Sequence, residues 1–321
     1  GEDRIAAITL LSKAGDSPAE YFQKLVKKHN LSLPQNWQSG APLDQAISLL
    51  QASLEKQVDL FTIAELQQET VRQVETLWRE SPGKRIRLKH VGGGGGKGQR
   101  GITAVEEAVM SVLIESKATG VGDNKNFLIE LNIEDTRHNE IQLLGNGEWC
   151  IELGGRDCSL QMHEQKLLEV SLTEEMLAAA AVEYEASGKK TQAEVLRTDA
   201  KILKSMCKQA EEFGKALQLD SVSTFECIVE QDAHYFMEVN TRIQVEHRVT
   251  EMAYRLRFRN PDDPEDTFTV DSLVAAMLLI NCYGKQLPRP ERLPRYLAGI
   301  EARLNATNPA LKPHAGGIIR A

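Results

Sequence analysis

The chain has 321 residues, of which 41% are hydrophobic and 26% charged, with a formal net charge of −8. That length can bury a sizeable core and hold about two or three domains or subdomains, while the negative charge argues against a general nucleic-acid surface, which needs clustered Lys and Arg. No apolar run approaches the ~20 residues that cross a bilayer and no signal peptide is visible, so membrane and secreted classes are set aside; the five scattered cysteines, with no CxxC pair, fit reduced thiols in a cytoplasmic compartment better than a disulfide framework or a zinc site.

In chain order, residues 1–83 read as mostly helical, from apolar residues recurring at three and four steps. Thr62 with Glu65 has the spacing of a capping box, ahead of a stripe of Leu66, Val71, Val74, Leu77 and Trp78 that reads as core or a partner face, and Ser81-Pro82-Gly83 ends the helix. "KRIRLKHV" (84–91) alternates like a strand and runs into "GGGGGKGQRG". Residues 102–118 read as a helix and "NFLIELNI" (126–133) as a strand. "HNEIQLLGNGEWCIELGGRDCSLQ" reads as two strands around the turn Gly145-Asn146-Gly147. A helical stretch follows from Thr173 to about Leu217, with Ser171 and Glu174 as its expected cap. A hairpin, an apolar helix near Asp271 to Tyr283 and a final strand "GIEARLNA" complete the chain.

The hairpin "TFECIVEQDAHYFMEVNTRIQVEH" (Thr224 to His247) places Glu238, Asn240, Arg242, Gln244 and Glu246 on alternate residues, which share one face of an extended chain. A turn about Asp232 sets Glu226 opposite Glu238, with Cβ atoms ~4.5–5.5 Å apart. At an effective dielectric near 20, two full charges at ~5 Å repel by roughly 3 kcal/mol. A hard divalent cation would offset that, and magnesium favours a few carboxylate oxygens plus phosphates, with Asn240 able to add a carbonyl oxygen. The alternative is a solvated strand face with two separately screened acids. The glycine run suits backbone N–H groups that approach a ligand closely, phosphate above all. Lys97 is followed by Gly98 rather than Ser or Thr, so the strict phosphate-loop pattern fails. A phosphate lid set between Lys89, Lys97 and Arg100 is favoured over a flexible linker.

These segments together resemble the biotin carboxylase branch of the ATP-grasp enzymes. "KHVGGGGGKG" looks like its lid loop, "HNEIQLLGNG" and "GRDCSLQ…QK" like its central strands, "FMEVNTRIQVEHRVTEM" like its most specific signature, and "GIEARLNATNPALKPHAGGI" like the strand and loop that follow. The opening "GEDRIAAITLLSKAG" resembles the helix that starts the ATP-grasp portion. The likeness covers residues 1–15 and 84–321, with longer inserts near 185–200 and 255–268; residues 16–83 do not visibly match.

The resemblance implies an α+β ATP-grasp fold: a helical N-terminal segment (1–83), a glycine-rich lid subdomain (84–134), and a larger antiparallel-sheet core with the start of a C-terminal region (135–321), nucleotide lying between lid and core. It implies ATP-dependent carboxylation of biotin by bicarbonate. On it, Lys89 and Gly93, Gly94, Gly95 and Gly96 hold ATP phosphates, Glu130 and Ile133 lie where adenine is held, and His138 and Gln161 lie near ribose and phosphates. Glu226 and Glu238, with Asn240 close by, take the positions of magnesium, for which manganese can substitute. Lys166, Arg242, Gln244 and Val245 fall where bicarbonate is held, Glu246 is the base, and Arg303 falls where the biotin enolate is stabilised. Biotin would arrive on a carrier domain, with a carboxyltransferase as further partner and a homo-oligomer as an expected state. Arg4 stands where a second ATP-binding lysine is usual, and a guanidinium also holds phosphate; Glu164 stands where a histidine is usual, and "LLEVS" replaces a more acidic run. With no Met-Lys-Met motif and a start and stop inside the family's catalytic domain, the chain is expected to be part of a larger carboxylase. Two rival readings are another ATP-grasp ligase forming an acyl or carbamoyl phosphate, and a non-catalytic nucleotide-binding regulatory or assembly domain.

Overall fold

The computed structural model describes residues 4–90, 98–117, 127–134, 136–162, 165–263 and 265–304. The chain forms two compact units, Gly1–Ile133 and Glu134–Ala321. Gly93 to Gly96, Lys97 and Glu164 lie outside the described residues.

In the first unit, helices α1 (Arg4–Ala14), α2 (Pro18–His29), α3 (Pro42–Lys56) and α4 (Ile63–Glu80) precede β1 (Ile86–His90), β2 (Gln99–Ile102), α5 (Val105–Lys117) and β3 (Phe127–Leu131). Proline opens α2 and α3, where its missing N–H costs nothing. Thr62 and Glu65 cap α4 reciprocally, the Thr62 N–H donating to Glu65 Oε2 at 2.7 Å and the Glu65 N–H to Thr62 Oγ1 at 3.2 Å. Of the expected stripe, Leu66 and Val74 are buried, together with Ile86, Leu88, Ile102, Val112 and Phe127. Val71 is only half-buried, because the helix turns Glu69 inward, where Ser12, Arg72 and Gln73 donate to it. The strands form an antiparallel sheet in the order β2-β1-β3.

The second unit is built on a six-stranded antiparallel sheet, in which β12 (Ile300–Ala302), β6 (Gln165–Leu172), β5 (Cys150–Met162), β4 (Arg137–Asn146), β7 (Asp220–Glu230) and β8 (Ala233–Asn240) lie side by side in that order. Period-two alternation sorts its faces. Ile141 and Leu143 on β4, and Phe225, Cys227 and Val229 on β7, pack with Leu203, Met206 and Ala210 in one core. His138, Glu140 and Gln142 on β4, and Thr224 and Glu226 on β7, fall on the opposite set. The covering helices are α6 (Glu174–Ala186) and α7 (Lys190–Ala216). Gly155 lets α7 come down onto the sheet, since a Cβ there would lie 2.8 Å from Leu203 Cδ1. The expected single helix is two, separated at Ser187-Gly188, where Gly188 takes φ +79°. Its cap is Thr173, whose Oγ1 accepts from the Met176 N–H, and not Ser171, which lies within β6.

The remaining elements are α8 (His247–Ala253), α9 (Leu273–Tyr283) and a second antiparallel sheet, β10-β9-β11, of Thr267–Val270, Tyr254–Arg259 and Glu291–Pro294. The insert near 255–268 supplies most of β9 and the start of β10. Phe258, Leu256 and Leu273 pack against Leu144, Ile151 and Val222 at the far end of the large sheet. Among the described residues, no helix is long and apolar enough to cross a membrane.

Candidate functional site

The site grows from one row of residues across the large sheet. Arg156 on β5 pairs with Glu140 on β4, Glu140 with Glu226 on β7, and Glu226 with Glu238 on β8. The expected register of the β7–β8 hairpin is therefore present at the carboxylate pair. It holds only above a bulge: from Cys227↔Phe236 onward the pairing is shifted by one, and the strands close at Glu230↔Ala233.

Three carboxylates in one row repel, and each has its own answer. Glu238 points to solvent and is exposed. Glu140 is fully buried and takes Arg156 Nε at 2.5 Å on one oxygen and Lys166 Nζ at 2.5 Å on the other. Burial pushes its carboxyl up, but the charges of Arg156 and Lys166 outweigh this and hold it below the usual range. Glu226 is 4% exposed and is met by His138 Nε2 at 2.9 Å, Asn240 Nδ2 at 2.7 Å, Gln244 Nε2 at 3.2 Å and Lys166 Nζ at 3.7 Å. Burial again pushes up, and the hydrogen bond from His138 with the charge of Lys166 prevails, lowering Glu226 to about 2.

Hydrogen bonding also sets the His138 tautomer. Gln161 Nε2 donates to the Cys158 carbonyl at 2.8 Å, which identifies it as the amide nitrogen, and it lies 2.7 Å from His138 Nδ1. Nδ1 is then the acceptor, so Nε2 carries the proton given to Glu226. One ligand atom each from His138, Glu140 and Glu226 lies within 4.8 Å of the others. For a hard cation the fitting donors are the oxygens of Glu226 and Glu238 with the Asn240 carbonyl oxygen, whose amide nitrogen is already turned to Glu226.

After Asn240 the chain leaves the sheet, so Arg242, Gln244 and Glu246 do not continue a strand face as the alternation predicts. They lie in an irregular segment that ends with Glu246 at the N-cap of α8. Gln244 and Glu246 turn inward and are buried, while Arg242 and Val245 are exposed. Arg242 donates to the Ile243 carbonyl at 3.3 Å and has no acidic partner among the described residues. Glu246 instead receives Lys166 Nζ at 2.6 Å and Arg303 Nη2 at 3.3 Å. Lys166 is pulled down by burial and pushed up more strongly by the carboxylates around it, so it remains an ammonium. Arg303, just after β12, also reaches Glu169 at 3.0 Å and Glu301 at 3.7 Å.

The structure thus brings together His138, Gln161, Lys166, Glu226, Asn240, Gln244, Glu246 and Arg303. In the first unit Lys89 pairs with Glu130 across β1 and β3, Ile133 follows β3, and Arg4 opens α1. Sequence reasoning missed Glu140, Arg156 and Glu169. Arg156 is fully buried and donates to Glu140, Gln142 and Thr250, with longer contacts to Thr224 and Gln244. The alternation of His138, Glu140 and Gln142 was a signal for Glu140; nothing periodic marks Arg156.

Comparison with known proteins identifies the setting. The family model for the carbamoyl-phosphate synthase L chain ATP-binding domain matches residues 61–256, so the likeness begins inside the 16–83 stretch expected to lack one. Biotin carboxylase 1 of Bacillus subtilis is 38% identical over 170 residues, covering 51% of this chain and 33% of that protein. The mitochondrial propionyl-CoA carboxylase alpha chain of Sus scrofa is 32% identical over 233 residues, covering 66% of this chain and 28% of that one. The biotin carboxylase domain dimer of Hydrogenobacter thermophilus 2-oxoglutarate carboxylase, solved with MgADP, ADP and bicarbonate, superposes with a TM-score of 0.52 at 25% identity over 91% of this chain and 51% of that one. Campylobacter jejuni biotin carboxylase shares the fold, with a TM-score of 0.54 at 22% identity over 92% of this chain and 52% of that one. The chain thus spans about a third of the Bacillus relative and half of each solved chain. It belongs to the carbamoyl-phosphate synthase L chain ATP-binding domain family, as an α+β ATP-grasp domain of the biotin carboxylase kind.

Proposed function

We propose that the chain works as the biotin carboxylase part of a biotin-dependent carboxylase, making carboxybiotin from ATP, bicarbonate and biotin through carboxyphosphate. The observation that carries this reading is the chain of charges from the buried Glu226 through the half-buried Lys166 to the buried Glu246 and the half-buried Arg303. It sets a base, an anion-holding ammonium and a second cation side by side, next to carboxylates suited to a metal. Lys89 and the glycine loop hold ATP phosphates, Glu130 and Ile133 the adenine, and His138 and Gln161 the ribose side.

Bicarbonate is a poor nucleophile, so Glu246 removes its proton while Lys166 and the exposed Arg242 hold the growing negative charge, with Gln244 and Val245 beside them. A bicarbonate oxygen attacks the γ-phosphorus and ADP leaves. Carboxyphosphate then divides into phosphate and carbon dioxide; the released phosphate takes the ureido N–H proton of biotin, and the resulting nitrogen anion attacks the carbon dioxide while Arg303 stabilises the enolate form. Magnesium, held by Glu226 and Glu238 with Asn240, would offset charge on the phosphate oxygens. A biotin carrier and a carboxyltransferase are the implied partners and a second copy of the chain an implied neighbour. The cysteines are all unpaired and four of the five are buried, which suits a reducing, cytoplasmic setting.

The test is a parallel assay of bicarbonate-dependent ATP cleavage and carboxybiotin in the full-length protein. Glu246→Gln should lower both by ~10²–10⁴, the usual worth of a general base. Arg303→Ser should spare much of the ATP cleavage and sharply lower carboxybiotin. Normal biotin carboxylation by a folded Glu246→Gln protein removes that residue from the mechanism, and equal loss of both activities in Arg303→Ser removes the division of labour.

A further inference from the structure

Glu169 on β6 is used by none of the steps above, yet it lies directly behind them. It is fully buried, its Oε1 takes Arg303 Nη2 at 3.0 Å, and its Oε2 has no hydrogen-bond partner among the described residues. The same Arg303 Nη2 reaches Glu246 Oε2 at 3.3 Å, so a single nitrogen joins the two carboxyl groups. Arg303 Nε is likewise buried without a partner. Around this point five acids, Glu140, Glu169, Glu226, Glu246 and Glu301, face three cations, Arg156, Lys166 and Arg303. A buried cluster with an excess of carboxylates lowers its energy by holding a proton on one of them.

We propose that Glu169 and Glu246 share one exchangeable proton across Arg303, with Glu169 as the acceptor that returns Glu246 to its base form after each deprotonation. Assigning the source of that proton to bicarbonate rests on the biotin carboxylase reading. The proton leaves the bicarbonate O–H for a Glu246 oxygen, making Glu246 neutral. It then passes to the unpartnered oxygen of Glu169, directly after a side-chain rotation or through one bridging water. Glu246 regains its negative charge and Glu169 loses its own, so this transfer leaves the net charge of the cluster unchanged, and Glu169 then releases the proton to solvent before the next turnover. Glu169 acts only through Glu246 and so is a positioning and proton-accepting residue.

Burial first, then the negative charge of Glu246, push Glu169 up to about 7 against the pull of Arg303 and Lys166. The groups that face it are Glu246 at the start of α8, Glu301 and Arg303 at β12, and Lys166 on β6. Neutralising Glu246 removes a charge that raises Glu169.

The experiment follows the protonated-carboxyl band in infrared pH-difference spectra of the full-length protein, together with the pH profile of bicarbonate-dependent ATP cleavage. The wild type should show a band with a midpoint near 7. That band should be absent from Glu169→Gln and shifted down by about one unit or more in Glu246→Gln, as expected when a neighbouring like charge is lost. Glu169→Gln should cleave ATP about tenfold more slowly at alkaline pH, less than the ~10²–10⁴ loss of the base itself. Its profile should lack the limb near neutrality at unchanged KM for ATP, and Glu169→Asp should recover part of both. A midpoint in the ordinary carboxylate range, or one indifferent to Glu246→Gln, overturns the proposal, as does a wild-type rate and profile in Glu169→Gln. A coupled midpoint near 7 in a protein whose ATP cleavage ignores bicarbonate upholds the shared proton and overturns the biotin carboxylase reading instead.

Discussion

Glu226 and Glu169 are both buried acids of the same sheet, on β7 and β6, and their surroundings drive them in opposite directions. Glu226 meets donors from His138, Asn240 and Gln244 with the Lys166 ammonium nearby, and its carboxyl falls to about 2. Glu169 has Arg303 alone, shared with Glu246, and rises to about 7. Burial raises both. What separates them is the supply of donors aimed at the charged form. One sheet can therefore hold a permanent anion, suited to a metal, a few strands from a carboxyl that takes and gives a proton near neutrality.

The comparison depends on Arg156, which fixes the Glu140 and Lys166 between the two sites. Arg156→Met should cost about 3–5 kcal/mol in denaturant unfolding, because one partner of a buried pair is left behind; a cost under ~1 kcal/mol would show that the network does not order the sheet. Acid unfolding comes next. The folded Glu226 pKa of about 2 lies below the unfolded 4.5, so its stabilisation is present above pH 4.5 and lost as pH falls through about 2. It is worth about 3 kcal/mol, and Glu226→Gln should flatten that part of the stability curve in metal-free protein. Glu169 has the opposite sign: its folded value is raised from 4.5 to about 7, so its contribution is full below 4.5 and fades as pH rises through 7. Glu169→Gln should therefore gain on the wild type in melting temperature as pH passes 7, and a constant difference between them would break the contrast. The smallest effect belongs to the partly exposed Lys89–Glu130 pair, where a double-mutant cycle should give a coupling below ~1 kcal/mol.

Much of this sheet was legible because strands repeat every two residues. The Glu226–Glu238 pairing followed from counting back from a turn, and the inward set on β4 is visible in "HNEIQ". The bulge after Glu226 leaves no mark in the pattern, nor does the exit of the chain from the sheet after Asn240, so alternation was carried too far toward Glu246. Arg156 was out of reach for another reason. Its partners include Thr224, 68 residues away, and Thr250, 94 residues away, and only the folded sheet brings them to one guanidinium. Glu169, in "LLEVS", reads locally as one acid in an apolar strand; its meaning comes from Arg303 and Glu246, which arrive from β12 and α8.

The central claim is that bicarbonate, activated at Glu246, attacks the γ-phosphate of ATP. Full-length protein supplied with ¹⁸O-labelled bicarbonate, ATP and biotin tests it through the mass of the phosphate released. Attack by bicarbonate leaves one of its oxygens on phosphorus when carboxyphosphate divides, so the account predicts phosphate carrying a single ¹⁸O, formed in step with carboxybiotin and suppressed in Glu246→Gln. Phosphate whose new oxygen comes from water would contradict it.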